Sequence, residues 1–298
     1  MVSFVKINND AIASYKYAII KSLDLVNYSF PHETKNIVIK PNMCYYWDYT
    51  TGETTDPQFV GALIEVLREN ISPNVNISIV ESDASAMKCK HAFKILGYEK
   101  MSHEYDVKLV NLSEDPTETV ETCAGGYNFK FQIPQTIQNA DLKINVPKIK
   151  YSVPQLQITC ALKNIFGCNP FPKKFKYHPQ IWEVIVALNK LYNFNLCLID
   201  GNIVSGIKPR KISLVMASRD PVAIDAAASK IMGINPTKVK YVQLAAKEGL
   251  GSIDFINKGV PLENFKAIYP RKGIKNKLTR QAYELVVTMG LNKKLGLP

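Results

Sequence analysis

The feature that most constrains the fold is a regular alternation of short apolar runs with longer segments of helical spacing. The apolar runs are predicted to be strands, at residues 2–7, 36–41, 75–81, 106–111, 140–146, 195–200 and 212–218. The other segments are predicted to be helices, at residues 10–25, 57–70, 88–96, 154–166, 179–193, 220–232 and 236–248. Because a helix after a strand returns the chain to the same edge of a sheet, we predict an α/β fold with a mostly parallel sheet and helices on both faces.

Two helix starts and one interruption refine this map. Asp56 and Asp220 each place a capping carboxylate directly before a proline, which is typical of the first turn of a helix. Residues 112–139 break the alternation, because two strand-like runs flank Gly125-Gly126, and this predicts an inserted β-hairpin. The sequence has no internal repeat and no low-complexity linker, so residues 1–270 are predicted to form a single α/β domain.

The charge of the chain is strongly positive, with a net value of +11 at pH 7. Its lysines are spread along the whole sequence, and no helix-turn-helix, zinc-finger or RNA-recognition signature accompanies them, which disfavours a nucleic-acid partner. Residues 271–298 are predicted to form a basic amphipathic helix with an apolar stripe. Such a stripe docks on its own domain or, alternatively, on a partner subunit, as in a homo-oligomer, or on an anionic membrane.

Several cofactor classes and locations are disfavoured by missing patterns. The six cysteines contain no C-x-x-C pair, which argues against an iron–sulfur cluster and a zinc ribbon. No G-x-G-x-x-G follows a predicted strand, so a dinucleotide motif is absent, and there is no Walker loop. No apolar run approaches the length of a membrane-spanning helix, and the N-terminus lacks a signal-peptide pattern, so we expect a cytoplasmic protein.

Polar residues follow several predicted strands at the point where each strand ends. Ligands of open α/β sheets bind at the carboxyl edge, so these residues are predicted to converge on one cleft. The candidates for binding an anion such as a carboxylate or phosphate are Lys40, Asn42, Lys148, Lys150 and Asn164. The candidates for catalysis are Lys163, His178 and Asp200, and those for a divalent metal are Glu81 and Asp83. A lysine among other lysines would have a lowered pKa, which suits an imine or a covalent link to a cofactor.

Several of these segments together resemble one known family, the domain of unknown function 362 (DUF362) family. The matching segments are IVIKPN (37–42), TDP (55–57), ES (81–82), ADLKINVPKIK (140–150), ALKNIFG (161–167), His178, LIDG (198–201) and SRDPVAIDAAASKIMG (218–233). Members of that family often carry an appended ferredoxin-like module, and the cysteine spacing of such a module is absent here. The family has no agreed activity, so the resemblance implies a fold rather than a reaction.

A fainter resemblance extends to the N-terminal domain of the lactate racemase superfamily. In lactate racemase a lysine anchors a nickel-pincer cofactor and histidines act as acid–base groups, and the resemblance makes Lys163 the counterpart of that lysine. Members of the DUF362 family commonly have a histidine after the P-K-x-K run, whereas this chain has Tyr151-Ser152. His178 is the remaining histidine close to a motif, and one histidine does not make a two-base racemase.

Two classes of function remain open from the sequence. The first is a metabolic enzyme of unknown reaction that acts on a small anionic substrate at the carboxyl ends of the strands, with a divalent metal or another cofactor as an option. The second is a non-catalytic binding or adaptor protein whose basic surface docks on nucleic acid, membrane or a protein. An enzyme needs a cleft with coupled polar groups, whereas an adaptor needs a continuous basic face.

Overall fold

A computed structural model of the chain describes residues 1–31, 33–43 and 45–270. In this part of the chain the strands are β1 (Val2–Lys6), β2 (Asn36–Pro41), β3 (Asn76–Glu81), β4 (Lys108–Asn111), β5 (Thr117–Ala124), β6 (Tyr127–Pro134), β7 (Leu142–Val146), β8 (Lys150–Tyr151), β9 (Ile158–Thr159), β10 (Leu196–Val204), β11 (Arg210–Ser218) and β12 (Asn257–Gly259). The α-helices of the same part are α1 (Ile12–Leu25), α2 (Pro57–Asn70), α3 (Cys89–Ile95), α4 (Tyr98–Glu104), α5 (Gln135–Gln138), α6 (Ala161–Ile165), α7 (Ile181–Tyr192), α8 (Pro221–Ile231), α9 (Lys240–Lys247) and α10 (Leu262–Ile268).

The main sheet has eight strands in the order β12-β1-β11-β10-β7-β2-β3-β4. The pairs β10–β7, β7–β2, β2–β3 and β3–β4 are parallel, as is the edge pair β1–β12, whereas β11 is antiparallel to both of its neighbours. The predicted α/β class with a mostly parallel sheet is therefore confirmed. The carboxyl ends of β2, β3 and β7 lie side by side at one edge of this sheet.

Each face of the sheet is covered by its own set of helices. Ile37 and Ile39 of β2 belong to one apolar cluster, whereas Val38 between them belongs to the other. The first cluster is completed by side chains of α1 to α4, and the second by side chains of α6 to α10. Because successive strand residues point to opposite faces, this alternation shows that both faces are buried under helices, as the continuous apolar strands predicted.

The predicted hairpin insertion is also confirmed. β5 and β6 pair as a separate two-stranded antiparallel sheet, with Ala124 opposite Tyr127, so Gly125 and Gly126 form a two-residue turn. Both glycines have positive φ angles, +58° and +82°. A type I′ hairpin turn needs left-handed backbone at both positions, which explains the pair of glycines.

The predicted helix at 154–166 is wrong over most of its length. Residues Ile158–Thr159 form β9 and pair with β8, and the helix begins only at Ala161. Leu156, Ile158 and Cys160 are buried at alternate positions, as in an extended chain, although Thr159 of β9 is buried as well. The apolar spacing in this stretch fits both periods, so the spacing alone did not separate strand from helix.

The remaining differences are smaller. The helix predicted at 88–96 is followed by a second short helix, α4, after Gly97, and the elements β12 and α10 were not predicted. The predicted basic helix at 271–298 lies outside the described residues, and the assignment of residues 1–270 to a single domain stays a prediction. None of the helices in the described part of the chain has the length and apolar character needed to cross a membrane.

We predict that Gly52→Ala destabilises the protein more than Gly126→Ala, although both glycines have similar positive φ angles of +73° and +82°. A Cβ atom at residue 52 would lie 2.3 Å from the backbone N of Ser205, whereas a Cβ atom at residue 126 would meet no atom within 4 Å. Left-handed backbone alone costs alanine about 1–2 kcal/mol, and overpacking adds about 1–3 kcal/mol. Urea denaturation of the two variants measures the difference, and equal losses would contradict the close approach at Gly52.

Candidate functional site

A pocket of about 250 Å³ opens at the carboxyl ends of β2 and β3. Its polar lining comes from these strand ends, from β8, from α6 and from the loop that leads to α7. The charged and amide residues of the lining are Lys40, Asn42, Glu81, Lys150, Lys163, Asn164, Lys174 and His178. Most of the predicted site residues are therefore brought together here. Lys148, Asp200 and Asp83 do not line this pocket.

The base of the pocket holds a buried ion pair between adjacent strands. Lys40 Nζ lies 2.7 Å from Glu81 Oε2 and also donates a hydrogen bond of 2.7 Å to the carbonyl of Pro41. The other carboxylate oxygen, Glu81 Oε1, accepts from the backbone N–H of Ser82 at 3.0 Å. Both charged side chains are almost fully buried, so each compensates the other for the lost contact with water.

The other lysines predicted to bind an anion have carboxylate partners as well. Lys148 Nζ lies 2.9 Å from Asp200 Oδ2, and both residues are buried away from the pocket. Lys150 Nζ lies 3.4 Å from Glu53 Oε2 and donates to the Glu53 carbonyl at 2.8 Å. The positive charges of all three predicted anion-binding lysines are thus matched by carboxylates of the protein itself, and their role in binding a ligand stays a prediction.

Asp200, which was predicted to be catalytic, lies in a buried network that supports the start of α2. Its Oδ2 atom accepts from the backbone N–H of Asp56 at 2.9 Å, while Asp56 caps α2 through Gln58 N–H. The hydroxyl of Tyr15 donates to Asp56 Oδ2 at 3.1 Å. Burial, followed by the nearby charge of Asp200, raises the pKa of Asp56 to about 6. The surroundings of Asp200 are those of a residue that stabilises the fold.

Three asparagine amides connect the pocket to the interior. Asn42 Nδ2 donates to Asn164 Oδ1 at 2.9 Å, and Asn164 Nδ2 donates to Asn145 Oδ1 at 2.8 Å. Asn145 Nδ2 in turn donates to the carbonyl of Ala161 at 2.9 Å. Among the described residues, Asn42 Oδ1 is buried without a hydrogen-bond partner. An unpaired buried acceptor is uncommon in folded proteins, and this one belongs to a residue of the pocket lining.

The short helix α6 carries two predicted site residues, Lys163 and Asn164, and is held at its start by Asp225 of α8. Asp225 Oδ1 accepts from the backbone N–H of Ala161 at 2.6 Å, and Leu162 N–H lies 3.3 Å from Oδ2. Asp225 is fully buried, and this burial raises its pKa to about 7. The carboxylate thereby satisfies amides at the helix N-terminus, where no local side chain acts as a cap.

Lys163 and His178 both line the pocket, and their predicted catalytic roles stay predictions. Lys163 Nζ lies 4.5 Å from the centre of the Phe166 ring, which holds the ammonium at the pocket wall by a cation–π contact. The imidazole of His178 packs edge-on against Phe175 with ring centres 4.9 Å apart. Partial burial of this ring, followed by the charge of Lys163, lowers the pKa of His178 below its usual value, although part of the residue is exposed to solvent. The imidazole is therefore mainly neutral near pH 7 and able to accept a proton.

Lys174 is a pocket residue that the sequence analysis did not select. Its Nζ atom donates to the carbonyl of Asp83 at 2.9 Å and to Ser82 Oγ, whose own hydroxyl donates to the Gly167 carbonyl. Burial lowers the pKa of Lys174 to about 8. The charge of Glu81 acts in the opposite direction, and its effect is smaller than that of burial. The sequence signal that could have selected Lys174 is its position in the basic segment 173–176, close to the predicted site residue His178.

The two residues predicted to bind a metal are engaged in other contacts. Glu81 is held by Lys40 and Ser82, and Asp83 by Lys88 Nζ at 2.7 Å and by the backbone N–H of Cys89 at 2.9 Å. In the described ranges, no group of three or more His, Cys, Asp and Glu residues could hold a metal ion. With His178 as the pocket's imidazole, this donor set does not fit a metal-bearing cofactor, and the metal role of Glu81 and Asp83 stays a prediction.

The family model of DUF362, a domain of unknown function, matches residues 37–230, which include every residue of the pocket lining. The chain belongs to the DUF362 family. This match confirms the family resemblance found in the sequence. Because the domain has no known function, membership of the family identifies no reaction.

Two further proteins are similar to this DUF362 protein over part of their length. A thylakoid-associated protein of Synechocystis sp. is 31% identical over 133 residues, which are 40% of this chain and 40% of that protein. The structure of the lactate racemase apoprotein from Thermoanaerobacterium thermosaccharolyticum aligns with a TM-score of 0.48 and 14% identity. That alignment covers 78% of this chain and 57% of the racemase.

We predict a strong coupling between Lys40 and Glu81 in the stability of this DUF362 protein. Lys40→Met alone would leave a carboxylate buried without its partner, and Glu81→Gln alone would leave a buried ammonium, so each should cost about 3–5 kcal/mol. The double variant removes both charges, so its loss of unfolding free energy should be about 1–3 kcal/mol smaller than the sum of the two single losses. Chemical denaturation of the four proteins checks this cycle, and additive losses would show that the pair is not coupled.

We predict that the contribution of Asp225 to the stability of the protein decreases as the pH rises from about 4 to about 7. The folded protein binds a proton at Asp225 more tightly than the unfolded chain does, because the pKa is about 7 when folded and about 3.9 when unfolded. The unfolding free energy of the wild type, minus that of Asp225→Asn, should therefore fall by about 2–4 kcal/mol across this range.

The exposed carboxylate of Asp141 offers a matched control for this titration. Hydrogen bonds from the backbone N–H groups of Asn36 and Lys35 hold the pKa of Asp141 below its usual value. Its contribution to stability is then fully present above pH 4 and is lost only at lower pH. The corresponding difference for Asp141→Asn should be flat from about pH 5 to pH 7, and a flat curve for Asp225→Asn as well would show that Asp225 does not titrate in this range.

Proposed function

We propose that this protein is an enzyme that acts on a small organic anion bound in the pocket at the carboxyl ends of β2 and β3. The observation that supports this most is the charge of the pocket lining. It contains four lysines and one carboxylate, Glu81. Even when Glu53 behind Lys150 is counted, the lysines of the lining outnumber the carboxylates by two. An excess of this kind attracts a carboxylate or phosphate.

The apolar part of the lining favours a ligand with a short carbon skeleton. This part consists of Met43, Met87, Val153, Leu156, Phe166 and Phe175. A volume of about 250 Å³ lies at or below the lower end of typical ligand pockets, so a metabolite of a few carbon atoms fits better than a nucleotide. In the proposed pose the anionic group lies on Lys163, and the carbon skeleton packs against the methionines and Phe166.

Two groups of the pocket suit proton transfer near neutral pH. The pKa of His178 is lowered, so its imidazole is a base at pH 7, and the pKa of Lys174 is about 8, so its ammonium is an acid that gives up its proton in the same range. General acids and bases work best when their pKa lies near the working pH. We therefore propose proton abstraction or addition next to the bound anionic group, with Asn42 and Asn164 orienting the ligand. The proposed setting is the cytoplasm.

We predict that Lys163→Met lowers the affinity for small anions by about 10–100-fold while leaving the fold intact. The loss corresponds to about 1.4–2.8 kcal/mol, a typical value for a charge-assisted hydrogen bond. The methionine keeps the apolar stem next to Phe166 and removes only the charge. Titration calorimetry with phosphate and with malonate at low salt measures the affinity, and thermal denaturation checks the fold.

Lys150→Met is the matched control, because Lys150 lines the same pocket but is paired with Glu53. It should lower the melting temperature, since it leaves the Glu53 carboxylate without its partner. If Lys163→Met binds both anions as well as the wild type does, the proposed site is wrong. The alternative of an adaptor that docks through a basic surface then becomes the better explanation.

A further inference from the structure

The amine of Lys174 differs from those of the lysines paired with carboxylates in the same pocket. Lys40 Nζ lies 2.7 Å from a carboxylate oxygen, and Lys150 Nζ lies 3.4 Å from one. Within the described residues, no carboxylate oxygen lies within 4 Å of Lys174 Nζ, which donates to the hydroxyl of Ser82 and to the carbonyl of Asp83. A lysine that binds a protein carboxylate stays charged, whereas a lysine with neutral acceptors can lose its proton.

We propose that Lys174 is a nucleophile that forms an imine with the keto carbon of a short 2-oxo acid whose carboxylate lies on Lys163. This inference rests on the proposed function and names its substrate class. An imine requires an amine at the wall of a pocket that also holds a separate cation for the acid group. Lys174 and Lys163 line the same pocket from different segments, the 3-10 helix Lys174–Gln180 that precedes α7 and the helix α6.

The hydrogen bonds of Lys174 match those of a neutral amine. A neutral amine has two N–H groups and one lone pair. Ser82 Oγ and the carbonyl of Asp83 provide two acceptors for the two N–H groups. Ser82 Oγ is available as an acceptor because its own proton is donated to the carbonyl of Gly167. The third position on the nitrogen then carries the lone pair, which is the electron pair that attacks a carbonyl carbon.

The surroundings of Lys174 favour this neutral form near physiological pH. Burial lowers its pKa to about 8, Lys40 acts in the same direction, and Glu81 acts against both. The thiols of Cys89 and Cys168 also face it, and burial raises the pKa of each, to about 12 for Cys168. These thiols are therefore protonated and do not compete as nucleophiles. At pH 8 about half of Lys174 is neutral, on the order of 100-fold more than for an exposed lysine.

The chemical step balances without an oxidant or a reductant. The lone pair of Lys174 Nζ forms a C–N bond to the keto carbon, and the π electrons of the C=O bond move to its oxygen. One proton passes from the nitrogen to this oxygen, and a second proton, supplied by the solvent, allows the oxygen to leave as water, which gives the iminium ion. The positive nitrogen withdraws electrons from the adjacent carbons, so a proton on the next carbon becomes acidic and His178 is a base in the same pocket.

The test is reductive trapping on the whole protein. Wild-type protein is incubated with pyruvate or 2-oxobutyrate and sodium cyanoborohydride, which reduces an iminium ion to a stable secondary amine. Intact mass and peptide mapping then locate the adduct. The matched control residue is the adjacent, exposed Lys173, so the readout is the ratio of adduct at Lys174 to adduct at Lys173. We expect this ratio to be on the order of 100 below pH 8 and to narrow at higher pH, where exposed lysines also lose their protons.

Two variants strengthen the assignment. Lys174→Arg keeps a donor to Ser82 and Asp83 but cannot form an imine, so the adduct at this residue should disappear. Lys173→Arg should leave the adduct at Lys174 unchanged. Because the mapping is done on the wild type, the test stands even if Lys174→Arg does not fold.

The outcomes separate this inference from the proposed function. A dominant adduct at Lys174 supports the inference. Absence of an adduct, or equal labelling of Lys173 and Lys174, overturns it. If malonate and phosphate bind through Lys163 but no adduct forms, the imine is wrong and the anion site stands. If the protein neither binds these anions through Lys163 nor forms an adduct at Lys174, both proposals fail.

Discussion

The buried ion pair between Lys40 and Glu81 is the constraint on which the arrangement of the site depends. Two charges removed from water at the ends of adjacent parallel strands are tolerated only when they lie in direct contact. A Cβ atom at Gly167 would lie 3.1 Å from both Lys40 Nζ and Glu81 Oε1, so the chain after α6 packs directly against the pair. The same chain carries the Gly167 carbonyl that binds Ser82, which in turn accepts from Lys174. One pair therefore sets the distance between the sheet edge, α6 and the loop before α7.

The positive charge of the strand ends has two separate roles. Lys40, Lys148 and Lys150 are compensated by Glu81, Asp200 and Glu53, so these ion pairs hold strands and loops together. The charge that is proposed to bind a ligand comes from α6 and from the loop before α7, which lie above the sheet edge. The ion pairs at the sheet edge would hold the proposed binding groups in place, as a preorganised site requires.

The site also depends on contacts between segments that are far apart in the chain. The helix α6 has five residues and no local capping side chain, and the buried carboxylate of Asp225 in α8 provides the missing acceptor. Asn42, Asn145 and Asn164 come from three different elements and are joined by amide hydrogen bonds. A helix this short is unstable alone, so the positions of Lys163 and Asn164 follow from this tertiary support.

The sequence by itself determined the α/β class, the capped starts of α2 and α8, the two-glycine hairpin turn and the family, because each depends on local spacing or on a residue needed by local backbone geometry. It also pointed to the carboxyl edge of the sheet. Only the tertiary structure decided which lysines are paired, that Lys148 and Asp200 lie outside the pocket, that Lys174 lies inside it, and that residues 158–159 form a strand. The physical reason is that ion pairing and burial join residues 41 to 97 positions apart, and no local pattern encodes which partner a buried charge will meet.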